Sequence, residues 1–279
     1  MKLSIITINY NNSEGLRKTI ESVVNQTWYD FEYIIIDGGS TDGGVEIIKE
    51  YASRIDYWVS EPDKGIYNAL NKGLAVAKGE YCNFMNSGDC FYSFSTLEQV
   101  FASKPMVDII CGNTFTDKLK APPKTITFDT LFNVSICHQC AFIRTSLMKK
   151  YGYDEKYKIV ADRKFFLQAL IFDNCSYQSI DVDVVKYDIT GFSAVNPVLS
   201  RLEYDQVLEE LIPERIRVDY GNKYKGKLYG DSWYDKLFVE IRRRNYKGLI
   251  YFVVVLLLRF LAIFKSSAKF ISNYPSKTN

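Results

Sequence analysis

Apolar positions in the first half of the chain fall into short unbroken runs separated by stretches where they recur every three or four residues. Residues 2–10 (KLSIITINY) are β-rich and bounded by Asn and Ser, which predicts a strand. Ser13 followed by Leu16, Ile20, Val23 and Val24 predicts a capped amphipathic helix. A second strand over 31–36 stops at Asp37 and a glycine-rich turn. Thr41 or Asp42 can cap the next helix, which carries Val45, Ile47 and Ile48 on to Tyr51. IDYWVSEPDKG reads as a short strand and a Pro/Gly loop, and IYNALNKGLAVAKG as a helix with Gly79 as its stop. A strand over 80–85 follows. In the middle of the chain, MVDIICGNTF predicts a strand and APPKTITFDTLFN a loop with a short strand. CHQCAFIRTSLMKKYG reads as a strand feeding a helix, YKIVADRKFFLQALIF puts Asp162 at the start of a helix, and SYQSIDVDVVKYDIT closes the sheet region.

Apolar strands alternating with helices predict an α/β fold, a mostly parallel sheet flanked by helices on both faces. Such sheets bind ligands beyond the carboxyl ends of their strands. Asp37, Asp63 and Asp89 all fall at or just past such ends. The pattern changes after about Pro197. Residues 199–216 read as a charged helix and the following Tyr/Gly-rich stretch as a linker. An apolar segment, 249–264, is then broken only by Arg259. A full span needs about 20 apolar residues. This shorter one is flanked by Arg242, Arg243, Arg244, Lys247, Lys265 and Lys269, which predicts an interfacial helix on an anionic inner leaflet. The alternative is a helix buried in the protein or in a homodimer. The expected domains are therefore 1–195, the α/β unit, and 196–279, a helical membrane-associating extension.

Composition narrows the picture little. The 279 residues are 47% hydrophobic and 24% charged, ordinary for a globular protein. A net charge of +2 leaves no nucleic-acid footprint. Aromatics reach 15%, compatible with sugar stacking or an interfacial belt. Of six scattered cysteines only Cys137 and Cys140 form a CxxC, so structural zinc is not expected. The absence of a leader pattern and the buried character of most cysteines point to a reducing, cytosolic compartment.

Five segments carry a resemblance: LSIITINYNN, YIIIDGGSTDGG, SEPDKGIYNALNKGLAVAKGEY, FMNSGD and HQCAFIRTSLMKKYGYDEKYKIVADRKFFLQAL. In sequence and order they resemble the family 2 glycosyltransferases, most of all the bacterial surface-polysaccharide branch of colanic-acid type, over about residues 1–192. The resemblance implies a GT-A fold, a nucleotide-diphosphate sugar donor (a UDP-sugar), a divalent Mg²⁺ or Mn²⁺, and inversion at the anomeric carbon. The implied acceptor is a glycan or lipid-linked oligosaccharide at the cytoplasmic face of the bacterial inner membrane, where the protein would be peripheral.

The resemblance also assigns roles. Thr7, Asn9 and Asn11 would hold the nucleobase and ribose; otherwise the two asparagines cap the helix behind them. Asp37 would receive the uracil, although turn chemistry alone allows an Asx-turn with Gly38 and Gly39. Asp63, Lys64, Gly65 and Tyr67 precede a helix N-terminus, where Lys64 offers a point charge to a diphosphate. Asn68 and Asn71 lie one turn apart on that helix. Where the family carries a carboxylate, any residue, then one or two more carboxylates, this chain has Asn86, Ser87, Gly88 and Asp89. Asp89 alone remains to hold the metal, which suffices if donor phosphates and water complete the shell. A β-turn with Asp89 at its tip is the plain alternative. His138, the one histidine, is a candidate diphosphate or metal contact, and Gln139 and Tyr67 candidate acceptor or donor-sugar contacts. Asp162 stands where the family has its catalytic base, and removes the acceptor proton; a helix cap with solvated Arg163 and Lys164 is the alternative. The rival function is a catalytically degenerate nucleotide-binding subunit of a polysaccharide assembly complex. Nucleotidyltransferases and dinucleotide oxidoreductases are disfavoured, because NYNNSEG supplies neither an Arg-containing glycine loop nor GxGxxG.

Overall fold

A strand without a polar face belongs in the middle of a sheet. All of β1 (Leu3–Asn9) is buried, and all but the first residue of β2 (Phe31–Asp37). The computed structural model describes residues 1–223. In chain order they form β1, α1 (Ser13–Val24), β2, α2 (Gly44–Glu50), β3 (Tyr57–Ser60), α3 (Ile66–Val76), β4 (Tyr81–Phe84), β5 (Cys90–Phe91) and α4 (Thr96–Phe101). There follow β6 (Ile109–Phe115), β7 (Leu119–Lys120), α5 (Phe128–Asn133), β8 (Ala141–Arg144), α6 (Thr145–Tyr151), α7 (Ala161–Leu167), β9 (Tyr177–Lys186), α8 (Phe192–Val195), α9 (Pro197–Leu211) and α10 (Glu214–Lys223). A 3₁₀ turn, His138–Cys140, leads into β8.

The sheet order is β3-β2-β1-β4-β8-β6-β9-β5, with β7 on the edge of β6. The first four strands are parallel. β8 runs antiparallel to β4 and β6, and β6 is parallel to β9. The α/β expectation holds, with its parallel character concentrated in the half formed by β1 to β4. α3 packs on β1 and β2. The core runs through Ile5, Ile6, Ile34, Ile35, Phe84 and Phe142, all fully buried.

Two local expectations are corrected. Residues 128–133 form a helix, not a strand, because the Thr127 hydroxyl accepts the Thr130 N–H at 3.1 Å and starts a turn. Gly79 does not stop α3, which ends at Val76 with Ala77 as its cap. Glycine is needed there because a β-carbon would lie 2.5 Å from the backbone of Leu3 and Ser4.

The chain divides into two units, Met1–Leu211 and Ile212–Asn279. The expected boundary at 195 falls inside the first unit, since α9 buries Glu203, Tyr204, Val207 and Leu208. Of the second unit only residues up to 223 are described, so the 249–264 segment lies outside the described residues. Among the described residues no helix is long and apolar enough to cross a membrane.

Candidate functional site

Parallel strands that end level leave a crevice at their carboxyl ends, and the β1–β2 register does align Asn9 with Asp37. Beyond these ends lies a cleft of about 790 Å³. It gathers Asn9 and Tyr10 from the end of β1, then Asp63, Gly65 and Tyr67 around the start of α3. Asn86, Ser87 and Asp89 come from the loop after β4, His138 and Gln139 from the 3₁₀ turn, and Asp162 from the first turn of α7. Asp89 and Asp162 therefore share one cleft.

Asp89 is 4% exposed. Its Oδ1 accepts the Asp188 N–H at 2.8 Å, and its Oδ2 accepts the Gln139 side-chain N–H at 2.9 Å. Burial pushes its carboxyl up to about 7; hydrogen bonds from the Asp188 N–H and Gln139 oppose this and the Asp188 charge adds to it. Asn86 Oδ1 is buried with no hydrogen-bond partner. Among the described residues no three His, Cys, Asp or Glu side chains form a metal cage. The chemistry still fits a hard divalent cation. An orphaned amide oxygen and an acid with a lone pair left on each oxygen are oxygen donors, and a diphosphate would complete the shell.

Asp162 is not the cap of α7; that position is Val160. Its Oδ1 accepts the Arg163 N–H at 2.8 Å and the Tyr67 hydroxyl at 3.2 Å. The Tyr67 hydroxyl also reaches the Ile159 carbonyl at 2.5 Å. Burial and the Asp162 charge push Tyr67 well above the usual phenol range, which keeps it a donor. Asp162 Oδ2 lies 4.0 Å from His138 Nδ1. Burial lowers His138 although Asp162 opposes it, so the ring is neutral near pH 7. His138 Nε2 is 3.4 Å from Asn86 Nδ2, and Nδ1 is 3.4 Å from the Tyr153 hydroxyl. The 3₁₀ turn thus touches the Asn86 loop, Asp89 and Asp162 at once.

Several expected residues stay out of the cleft wall. Thr7 is buried in β1 against the Tyr33 hydroxyl at 3.0 Å. Asp37 is fully buried and accepts hydrogen bonds from Asn9 Nδ2, Ser40 N and Oγ, Gly39 N and Ser60 Oγ. Burial alone would raise its carboxyl, but hydrogen bonds from Ser40, Ser60 and Asn9 outweigh it and hold the group below the usual range. Five protein donors reach its two oxygens, which is the turn expected of Asp37 with the glycines that follow it. Asn11 accepts the Thr41 N–H at 2.9 Å and braces the same turn; the cap of α1 is Asn12. Lys64 is exposed off the cleft wall, and its N–H is held by Asn68. Asn68 and Asn71 both donate to Glu155, and Asn71 also to the Tyr153 carbonyl. They join α3 to the segment before α7. Gly88 has a positive φ of 104° and does not line the cleft.

The cleft also holds residues that sequence reasoning passed over, chiefly Tyr10, Asn12 and Asp188. Asp188 follows the end of β9, so the rule that flagged the other strand-end acids applied to it as well. Glu203, in the middle of α9, carries no such signal. Its carboxylate accepts the N–H groups of Lys158 and Ile159 at 2.9 Å each, which fixes the loop ahead of Asp162.

The profile of glycosyl transferase family 2 matches residues 4–152, more than half of the chain. An uncharacterized glycosyltransferase of Mycobacterium tuberculosis is 32% identical over 200 residues, 68% of this chain and 76% of the relative. A PGL/p-HBAD biosynthesis glycosyltransferase of Mycobacterium bovis is 31% identical over 198 residues, 67% of this chain and 77% of the relative. Among solved structures, S. aureus TarS 1–349 in complex with UDP-GlcNAc superposes with a TM-score of 0.65 at 19% identity, over 87% of this chain and 78% of that one. The mannosyltransferase PcManGT of Pyrobaculum calidifontis, in complex with GDP-Man and Mn²⁺, does so with a TM-score of 0.62 at 15% identity, over 97% and 83%. At these identities the structural likeness speaks to the fold.

Proposed function

The chain belongs to glycosyl transferase family 2, and on that premise we propose that it is a metal-dependent, inverting transferase moving a sugar from a UDP-sugar to an acceptor hydroxyl. The observation that carries the reading is the convergence of Asp89 and Asp162, 73 positions apart in the sequence, on one cleft joined through Gln139 and His138.

Asn9 and Asp63 lie at the strand ends where the nucleoside would enter, with Tyr10 beside them. Asp89 and Asn86 would hold a divalent cation, whose charge when bound would offset that developing on the departing diphosphate. Asp162 accepts the proton of the attacking hydroxyl. Its Oδ1 is committed to Tyr67 and Arg163, which leaves Oδ2 to face the acceptor. Tyr67 fixes the carboxylate's rotamer, and neutral His138 can donate to a phosphate or sugar oxygen without repelling a nearby cation. Gln139, whose amide is aimed at Asp89, holds that acid in place rather than reading a sugar.

The relative named for PGL/p-HBAD biosynthesis supports a role in building a glycosylated envelope product, and the solved complexes with UDP-GlcNAc, GDP-Man and Mn²⁺ support nucleotide-sugar and metal use. The acceptor we propose is a lipid-linked oligosaccharide met at the inner-membrane surface, with the basic-flanked 249–264 segment as the anchor. The test is to incubate the full chain with a panel of nucleotide-sugars, Mn²⁺ or Mg²⁺, and lipid-linked acceptors, and to identify products by mass spectrometry. Nucleotide binding with no transfer across the panel would leave the degenerate-subunit reading in its place.

A further inference from the structure

We propose that Asp188, from the loop after β9, supplies the carboxylate that Gly88 lacks and completes the cation site with Asp89 and Asn86. The inference rests on the metal-dependent reading above and adds a ligand from a remote segment. A side-chain carbon placed on Gly88 would lie 2.7 Å from Asp188 Oδ2. The space a residue at 88 would fill is therefore already taken by an acid 100 positions later in the chain. Asp188 lines the cleft, and its backbone N–H is bonded to Asp89 Oδ1, so the two acids are registered to one another.

The two oxygens of Asp188 do different things. Oδ1 accepts the Thr190 N–H at 2.8 Å and the Thr190 hydroxyl at 2.7 Å, which fixes the side chain in a local turn. Oδ2 is turned to the Gly88 loop. Among the described residues, Asp89 and Asp188 form no ion pair with any Lys or Arg. Two adjacent carboxylates without a counter-charge repel each other, and a divalent cation between them reverses the sign of that interaction. Independently of the acids, Asn86 Oδ1 is buried on the same wall with no partner. A buried acceptor left unsatisfied is costly, and a cation is a ligand that would satisfy it.

The experiment is a titration of the chelator-stripped full chain with Mn²⁺, following the free-ion paramagnetic resonance signal, with UDP present and absent. Asp188→Asn keeps the Oδ1 acceptor for Thr190 and removes the Oδ2 charge. It is expected to weaken Mn²⁺ binding at least about tenfold, since even outer-shell changes cost that much, while UDP affinity without metal stays unchanged. Thr190→Val loosens the turn and leaves Oδ2 in place, so it is expected to keep Mn²⁺ affinity. Should Asp188→Asn not fold, Asp188→Ser is read in the same way. Unchanged Mn²⁺ affinity in the Asp188 variant overturns the inference, as does an equal loss in Thr190→Val, which would make the role structural. Asp89→Asn separates the two levels. If it loses Mn²⁺ binding and Asp188→Asn does not, only this inference falls; if neither does, the metal reading falls with it.

Discussion

At the scale of single residues, Asp89 and Asp162 sit in opposite surroundings within one cleft. Asp162 is held through one oxygen and open through the other, which is the arrangement a proton acceptor needs. Asp162→Asn is expected to lower transfer by about 10²- to 10⁴-fold with UDP binding intact; single-turnover assays beside nucleotide titrations check it, and full activity would remove the assignment. Asp89 is buried, and its carboxyl is pushed up to about 7. An aspartate in the unfolded chain titrates near about 4. Because the folded value is the higher, the group favours the folded state below about pH 4, and that contribution is lost as pH rises through about 7. Metal-free wild type is thus expected to lose stability between about pH 4 and about pH 7 relative to Asp89→Asn. Denaturant melts of both proteins measure it, and parallel pH profiles would refute it.

At the scale of elements, the site depends on two pieces whose part in it no periodicity announces. The 3₁₀ turn, His138–Cys140, is three residues long, yet it touches the Asn86 loop, Asp89 and Asp162. α9 acts from outside, with Glu203 holding the N–H groups of Lys158 and Ile159. Glu203→Ala strands both donors. It is expected to cost about 1–3 kcal/mol of stability and to reduce kcat more than KM, because Asp162 loses its frame; unaltered melts and kinetics would discount the brace. Gly79→Ala is expected to destabilise by about 1–3 kcal/mol, since the new methyl meets the β1 backbone. Urea unfolding tests it, and a change within error would show that β1 can yield. Helices and strands with long apolar patterns were legible in the sequence. α5 was misread because six residues hold too little of a helical period to distinguish it from a strand.

At the scale of the molecule, the parallel half of the sheet carries Asn9 and the Asn86 loop, and the antiparallel insertion of β8 brings the His138–Cys140 turn to them. The proposed membrane acceptor predicts a property of the full chain. It should sediment with anionic vesicles, and released protein should rise as ionic strength rises through the range where surface charge is screened. A chain ending at residue 223 should stay in the supernatant. Equal partitioning of the two would detach the 249–264 segment from membrane binding.

The sequence by itself determined the alternation of strands and helices, the family, and the placing of acids at strand ends, because these follow from periodicity and short motifs that need no distant partner. It could not decide how those side chains are spent. Asp37 stands at a strand end like Asp89, but five donors surround it and consume its oxygens, whereas Asp89 keeps a lone pair on each. The approach of Asp188 to Gly88 likewise depends on β9 pairing with β5, a contact that only the folded chain makes. Local chemistry is written along the chain, but satisfaction of a hydrogen-bonding group depends on neighbours far away in sequence, and only packing supplies them.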